Sequence, residues 1–97
     1  MNRENKEVRA DILRVLKASY PVPISDRILA EALSGVNYSI MPTELTAHLV
    51  YLRDKGYVKM QEYKDDEFNL SRDVYVLSAK GVDLLEGNIP PDPGIGD

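Results

Sequence analysis

P-T-E-L-T-A-H-L-V-Y-L-R-D-K-G-Y-V, residues 42–58, is the stretch on which the fold turns. Leu45, Leu49 and Leu52 recur at the i, i+4, i+7 spacing of a helix with one buried face. Lys55 closes the last turn, and Gly56 stands where a left-handed C-cap residue is wanted. The helix therefore ends at a glycine and passes straight into an extended segment. It begins either with Pro42 in the first helical position or with Thr43 as the cap, and the residue pattern leaves both starts open.

Downstream, Tyr57–Tyr63 alternates and is rich in β-formers, and Asp73–Leu77 does the same. The polar K-D-D-E-F-N-L-S-R between them, residues 64–72, is expected to be the tip of a hairpin. Ser78 can cap a short last helix, Ala79 to Glu86, with Val82 and Leu85 turned inward and Gly87 ending it. The closing N-I-P-P-D-P-G-I-G-D, residues 88–97, holds three prolines and two glycines, which predicts an extended, flexible C-terminal tail.

Upstream, Ser34–Met41 is longer than a minimal helix-to-helix turn, and its Gly35 and Asn37 tolerate positive φ. Before it, Ser25 caps a helix running to about Leu33, with Ile28, Leu29, Ala32 and Leu33 as the buried face. Ile24 and Leu29 hold the positions of a hydrophobic staple. Y-P-V-P-I, residues 20–24, cannot be helical and supplies at most a short edge strand. Glu4 to Ala18 reads as an amphipathic first helix carrying Val8, Ile12, Leu13, Val15 and Leu16 inward. The order is helix, short strand, helix, helix, strand, hairpin tip, strand, helix. This is an α+β fold with a three-helix core and a small antiparallel sheet, forming one domain over residues 1–87 ahead of the tail at 88–97.

The 97 residues suit a single core, and the absence of cysteine excludes disulfides, thiolate chemistry and Cys-based metal sites. No apolar run approaches the roughly 20 residues of a membrane helix, so the cytoplasm is the expected location and no membrane partner is expected. The net charge of −4 is unevenly spread. Residues 1–20 carry Arg3, Lys6, Arg9, Arg14 and Lys17 against three acids, whereas residues 57–97 carry four basic and nine acidic side chains. His48 is the one histidine, no glycine-rich phosphate loop occurs, and no EF-hand spacing is present. Neither an enzyme nor a cofactor or metal site is expected.

Leu45–Val58, L-T-A-H-L-V-Y-L-R-D-K-G-Y-V, resembles the recognition helix and first wing strand of winged helix-turn-helix transcription factors. Leu77–Gly87, L-S-A-K-G-V-D-L-L-E-G, is similar to an ending shared by several such families. More narrowly, R-A-D-I-L-R-V-L, S-D-R-I-L-A-E-A-L-S-G and G-N-I-P-P-D-P-G-I resemble a family of small winged-helix proteins of Mu-like phages and prophages. Tyr51 departs from that family, which carries tryptophan there, and so do Gly96 and Asp97, where it has basic residues.

The resemblance implies a small phage or prophage transcriptional regulator that binds double-stranded DNA with helix 43–55 in the major groove, and a homodimer is expected because one such module buries little surface. In helix 43–55 the outward side chains are read as Thr46, Ala47, Val50, Tyr51 and Asp54, with Glu44 at the margin, able to accept from a cytosine amino group or to repel phosphate, and His48 on the flank. Thr43, Thr46 and His48 can hydrogen-bond bases, Ala47 can meet a thymine methyl, and Tyr51 lies beside them. In the wing, Asp65, Asp66 and Glu67 repel phosphate, which leaves Lys64, Asn69, Ser71 and Arg72 to touch DNA. Positions 47 and 50 lack the basic residues usual in winged-helix relatives. The alternative is a protein-interaction winged helix that uses its acidic wing and the Val50/Tyr51 face and binds no DNA.

Overall fold

A computed structural model describes residues 4–35 and 39–96. Arg3, Asn37 and Asp97, each named above, lie outside the described residues. The elements are α1 (Asn5–Ser19), β1 (Ile24–Ser25), α2 (Asp26–Ser34), α3 (Pro42–Asp54), β2 (Val58–Asp65), β3 (Leu70–Leu77) and α4 (Ala79–Glu86).

The three long helices meet through their leucine stripes. Ile12, Leu13 and Leu16 of α1, Leu29 and Leu33 of α2, and Leu45, Leu49 and Leu52 of α3 form one cluster with Val58, Tyr75 and Leu77 of the sheet. Ile12, Leu16, Leu29, Leu33 and Leu52 have no exposed surface, so truncating any of them to alanine would cost about 2–5 kcal/mol. Within α2 the inward residues are Leu29 and Leu33 with Ala30 half-buried. Ile28 and Ala32, expected inside, are exposed, because a helix docked on the 29/30/33 stripe turns 28 and 32 to solvent. Ser25 caps this helix as expected, its hydroxyl accepting from the Ile28 N–H at 3.2 Å.

Pro42 takes the first position of α3, with Met41 rather than Thr43 as the N-cap. At the other end Gly56 has φ of 87°. The Tyr57 N–H reaches the Leu52 carbonyl at 3.0 Å and the Gly56 N–H reaches the Arg53 carbonyl at 2.9 Å, which is the Schellman pairing.

The sheet is antiparallel in the order β1-β3-β2. β1 pairs Ile24 with Tyr75 and Ser25 with Val74, at an edge compatible with the prolines just before it. The hairpin is longer than expected. Residues 64, 65 and 70–72, read as tip, belong to the ladder, with Lys64 opposite Ser71 and Tyr63 opposite Arg72. The true tip is residues 66–69, closed by the Asp65 carboxylate accepting from the Glu67 and Phe68 N–H groups at 3.1 and 3.3 Å. Asn69 completes the turn at φ of 52°, a conformation asparagine tolerates. Three helices followed by this long hairpin make the fold a winged helix.

The expectation of a flexible tail needs correction, because residues 88–96 pack back onto the domain. Ile89 and Ile95 lie against the core. The Gly96 N–H donates to the Lys6 carbonyl at 3.0 Å, and Asp92 is bonded to Tyr57 and Lys55. Two isoleucines and one carboxylate supply anchors, while three prolines lower the entropy that docking must overcome.

Candidate nucleic-acid interface

With Leu45, His48, Leu49 and Leu52 inward, α3 presents Thr43, Glu44, Thr46, Ala47, Val50, Arg53 and Asp54 to solvent. The Thr46 hydroxyl donates to the Pro42 carbonyl at 2.9 Å, so it offers lone pairs outward rather than a proton. Thr43, one turn earlier, makes no side-chain hydrogen bond to a described residue.

Two of the expected contact residues are occupied elsewhere. His48 is 7% exposed, and its Nδ1 accepts from the Arg9 Nε at 3.3 Å. Burial, reinforced by the Arg9 charge, holds its pKa below the ordinary 6.5, so the ring is neutral and belongs to the α1 contact. Tyr51 is not an open outward residue. The Arg9 guanidinium lies over its ring, 3.7 Å from the centroid, and a Cβ at position 94 would overlap its hydroxyl. Arg9 also donates to the Gly94 carbonyl at 3.2 Å. Val50 and Tyr51 therefore do not form the continuous exposed face expected for a protein partner.

The wing divides its candidates between two faces. Lys64 and Ser71 are register partners on the face that begins with the buried Val58 and Leu77, whereas Arg72 opposes Tyr63 on the other face. Glu62 gathers the first pair: Ser71 donates to it at 2.9 Å and the Lys64 ammonium lies 3.6 Å away. Asn69 is exposed at the tip. Phe68, Leu70 and Tyr63 are more than half exposed around it.

The positive first helix is largely offset by its neighbours. Lys6 pairs with Glu4, Arg14 with Asp11 and Lys17 with Glu86 at 3.7, 3.0 and 4.0 Å. Arg53 lies 3.5 Å from Asp54. Such exposed pairs are each worth about 0–1 kcal/mol, so an arriving phosphate can displace the acid. Lys59 and Arg72 face no acid within ion-pair distance among the described residues. No group of three or more His, Asp or Glu side chains among the described residues could hold a metal ion.

No family model and no curated protein sequence matches the chain. Solved structures do resemble it. A PadR-like transcription factor from Bacteroides fragilis superposes with a TM-score of 0.71 at 16% identity, covering 84% of this chain and 75% of that one. A transcriptional regulator from Clostridium thermocellum gives 0.67 at 18% identity, over 84% of this chain and 77% of that one. Bacillus subtilis PadR, in complex with operator DNA, gives 0.67 at 18% identity, over 93% of this chain and 52% of that one. At these identities the likeness establishes the winged-helix fold.

Arg9 and Asp92 were not singled out from the sequence, yet they organise the flank of α3. Asp92 carried a usable signal, since a lone acid inside P-P-D-P-G between two isoleucines is an unusual composition for a segment that does not dock.

Proposed function

We propose that the domain is a DNA-binding transcriptional regulator that reads the major groove with the N-terminal half of α3. The observation that carries this is the exposed, uncharged strip Thr43, Thr46, Ala47 and Val50, which stands on a helix braced by three buried leucines beside a two-stranded wing. Threonine lone pairs accept from base amino groups, and Ala47 and Val50 suit thymine methyls. Lys64, Asn69, Ser71 and Arg72 are the wing residues assigned to the DNA backbone. The likeness to a structure solved with operator DNA supports the same reading. A single module buries only about 600–1,000 Å² of its own surface on DNA, so the binding species is a homodimer on two half-sites. The residues shared with small winged-helix proteins of Mu-like phages support a phage or prophage setting and action in the cytoplasm.

The test is an anisotropy titration with mixed-sequence duplex at several salt concentrations. Binding that weakens steeply with salt is expected, and Arg72→Gln should lower the slope of log K against log salt by about 1 per protomer. Absence of binding at about 20 mM salt refutes the proposal. A second reading, docking to a protein, is favoured by the exposed Phe68, Leu70 and Tyr63 of the wing.

A further inference from the structure

Lys55, Gly56 and Tyr57 join α3 to β2, with Gly56 as the left-handed bend. Each of the three is held by groups far along the chain. From the start of α4, the Ser78 hydroxyl donates to the Gly56 carbonyl at 2.5 Å, the Ser78 N–H to the Tyr57 carbonyl at 2.9 Å, and the Lys80 ammonium to the Lys55 carbonyl at 3.1 Å. From the segment 88–96, the Asp92 carboxylate accepts from the Tyr57 hydroxyl at 2.7 Å and lies 3.0 Å from the Lys55 ammonium. One carboxylate thus spans both sides of the bend.

Asp92 is itself built in. Its side chain is 9% exposed and accepts from the Gly94 N–H at 2.8 Å, while Gly94 and Gly96 tie the segment to α1 through Arg9 and Lys6. The Tyr57 hydroxyl, followed by the Gly94 N–H and Lys55, brings the Asp92 pKa down to about 2. Burial and then Asp92 raise Tyr57 to about 12. The contact therefore persists in one protonation state across the neutral range.

We propose that residues 88–96 are a clamp on the α3–β2 bend, with Asp92 the positioning residue that fixes the angle between recognition helix and wing. Its consequence for DNA rests on the reading above: helix and wing must meet one duplex together, and a loose bend spreads them over many mutual orientations. An ordinary stabilising contact would change the melting temperature and leave that angle alone. A clamp changes the angle.

The chain has no cysteine, so Thr46→Cys and Glu67→Cys can carry a pair of spin labels without background. Pulsed dipolar spectroscopy then reads the distance from α3 to the wing tip in the full chain. The parent should give one narrow distance, which Asp92→Ala and Tyr57→Phe broaden and shift. Ala32→Gly, at an exposed position inside α2, lowers stability through helix propensity alone and should leave it narrow. Distributions for Asp92→Ala and Tyr57→Phe that superpose on the parent overturn the clamp. If Asp92→Ala loses its cooperative melt, Tyr57→Phe decides, since it removes one hydroxyl and keeps the core ring.

The same variants without labels should bind mixed duplex about tenfold more weakly, the worth of one hydrogen bond to a charged group. Unchanged affinity beside a broadened distance overturns the role in DNA reading. A parent that binds no duplex refutes that reading, and the distance still decides the clamp.

Discussion

Replacing Gly81 by alanine puts helix propensity and packing in direct opposition. Gly81 is in the first turn of α4 and buried, and alanine in a helix is ordinarily worth about 1 kcal/mol over glycine. Here an added Cβ would overlap the Tyr57 carbonyl oxygen and lie 2.7 and 3.0 Å from Leu77 Cδ1 and Cγ. Carbon pairs settle at about 3.5–4.0 Å, so Leu77, itself 2% exposed, must retreat by about 1 Å into a filled core. The Tyr57 oxygen is backbone and also accepts from the Ser78 N–H, so it cannot yield without opening the bend. Overpacking of this kind costs about 1–3 kcal/mol, and two overlaps place Gly81→Ala at the upper end. Net of propensity, a loss of about 2 kcal/mol is expected, equivalent to about 10 °C of melting temperature in a domain this size. Urea unfolding followed by circular dichroism measures it, with an unchanged denaturant slope showing that the native fold persists. A variant as stable as the parent, or more so, would refute the packing described at this junction.

Two further expectations concern pH. The folded pKa of His48 lies below 6.5, so the unfolded chain binds more protons just under that pH; stability is full above about 6.5 and falls as pH drops toward the folded value. His48→Gln should flatten urea midpoints between pH 7.5 and 5.5, and a variant that tracks the parent across that range contradicts the buried, neutral assignment. For Asp92 the folded value of about 2 lies below the ordinary 3.8, so its stabilisation is present above about 3.8 and is lost as pH falls through about 2. The shift corresponds to about 2 kcal/mol at most, discounted for a carboxylate near the surface. Asp92→Asn should be less stable at neutral pH and should show a shallower acid limb, read by thermal melts from pH 5 to 2.

The elements could be read from the sequence wherever one local rule dominated. Leucine spacing and a glycine stop gave α3, the serine caps gave the starts of α2 and α4, and alternation gave both hairpin strands. The readings that failed depended on what lies across from a residue. Ile28 and Ala32 obey helical periodicity, yet the docking direction of a nine-residue helix is chosen by its partners. Residues 64, 65 and 70–72, polar apart from Leu70, look like loop because a wing that projects from the body has no core to demand apolar alternation; the ladder itself pairs them. Residues 88–96 look like tail by composition, and only the folded chain brings Tyr57 and Lys55 to one carboxylate. The same long-range packing withdrew His48 and Tyr51 from the outward face, since Arg9 reaches them from α1.

The charge of the chain bears on DNA binding through where its acids are committed. Asp92 is held by Tyr57 and Lys55, Asp65 by its own turn, and Glu62 by Ser71 and Lys64, so three of the nine acids of residues 57–97 are fixed in place, while Asp66 and Glu67 stand exposed at the wing tip. On the proposed reading, a duplex would meet Thr43, Thr46, Ala47 and Val50 with Glu44 among them, and a wing whose cations Lys64 and Arg72 flank the exposed acids Asp66 and Glu67. If Lys64 and Arg72 make the two phosphate contacts per protomer proposed for them, the slope of log K against log salt should be about −2 for a monomer and about −4 for a dimer. A slope far steeper than −4 would mean that cations of α1, now paired with their neighbours, change partners on binding. On that proposal the salt titration counts the phosphate contacts made per complex, and discrimination between sequences would fall to Thr43, Thr46 and Ala47.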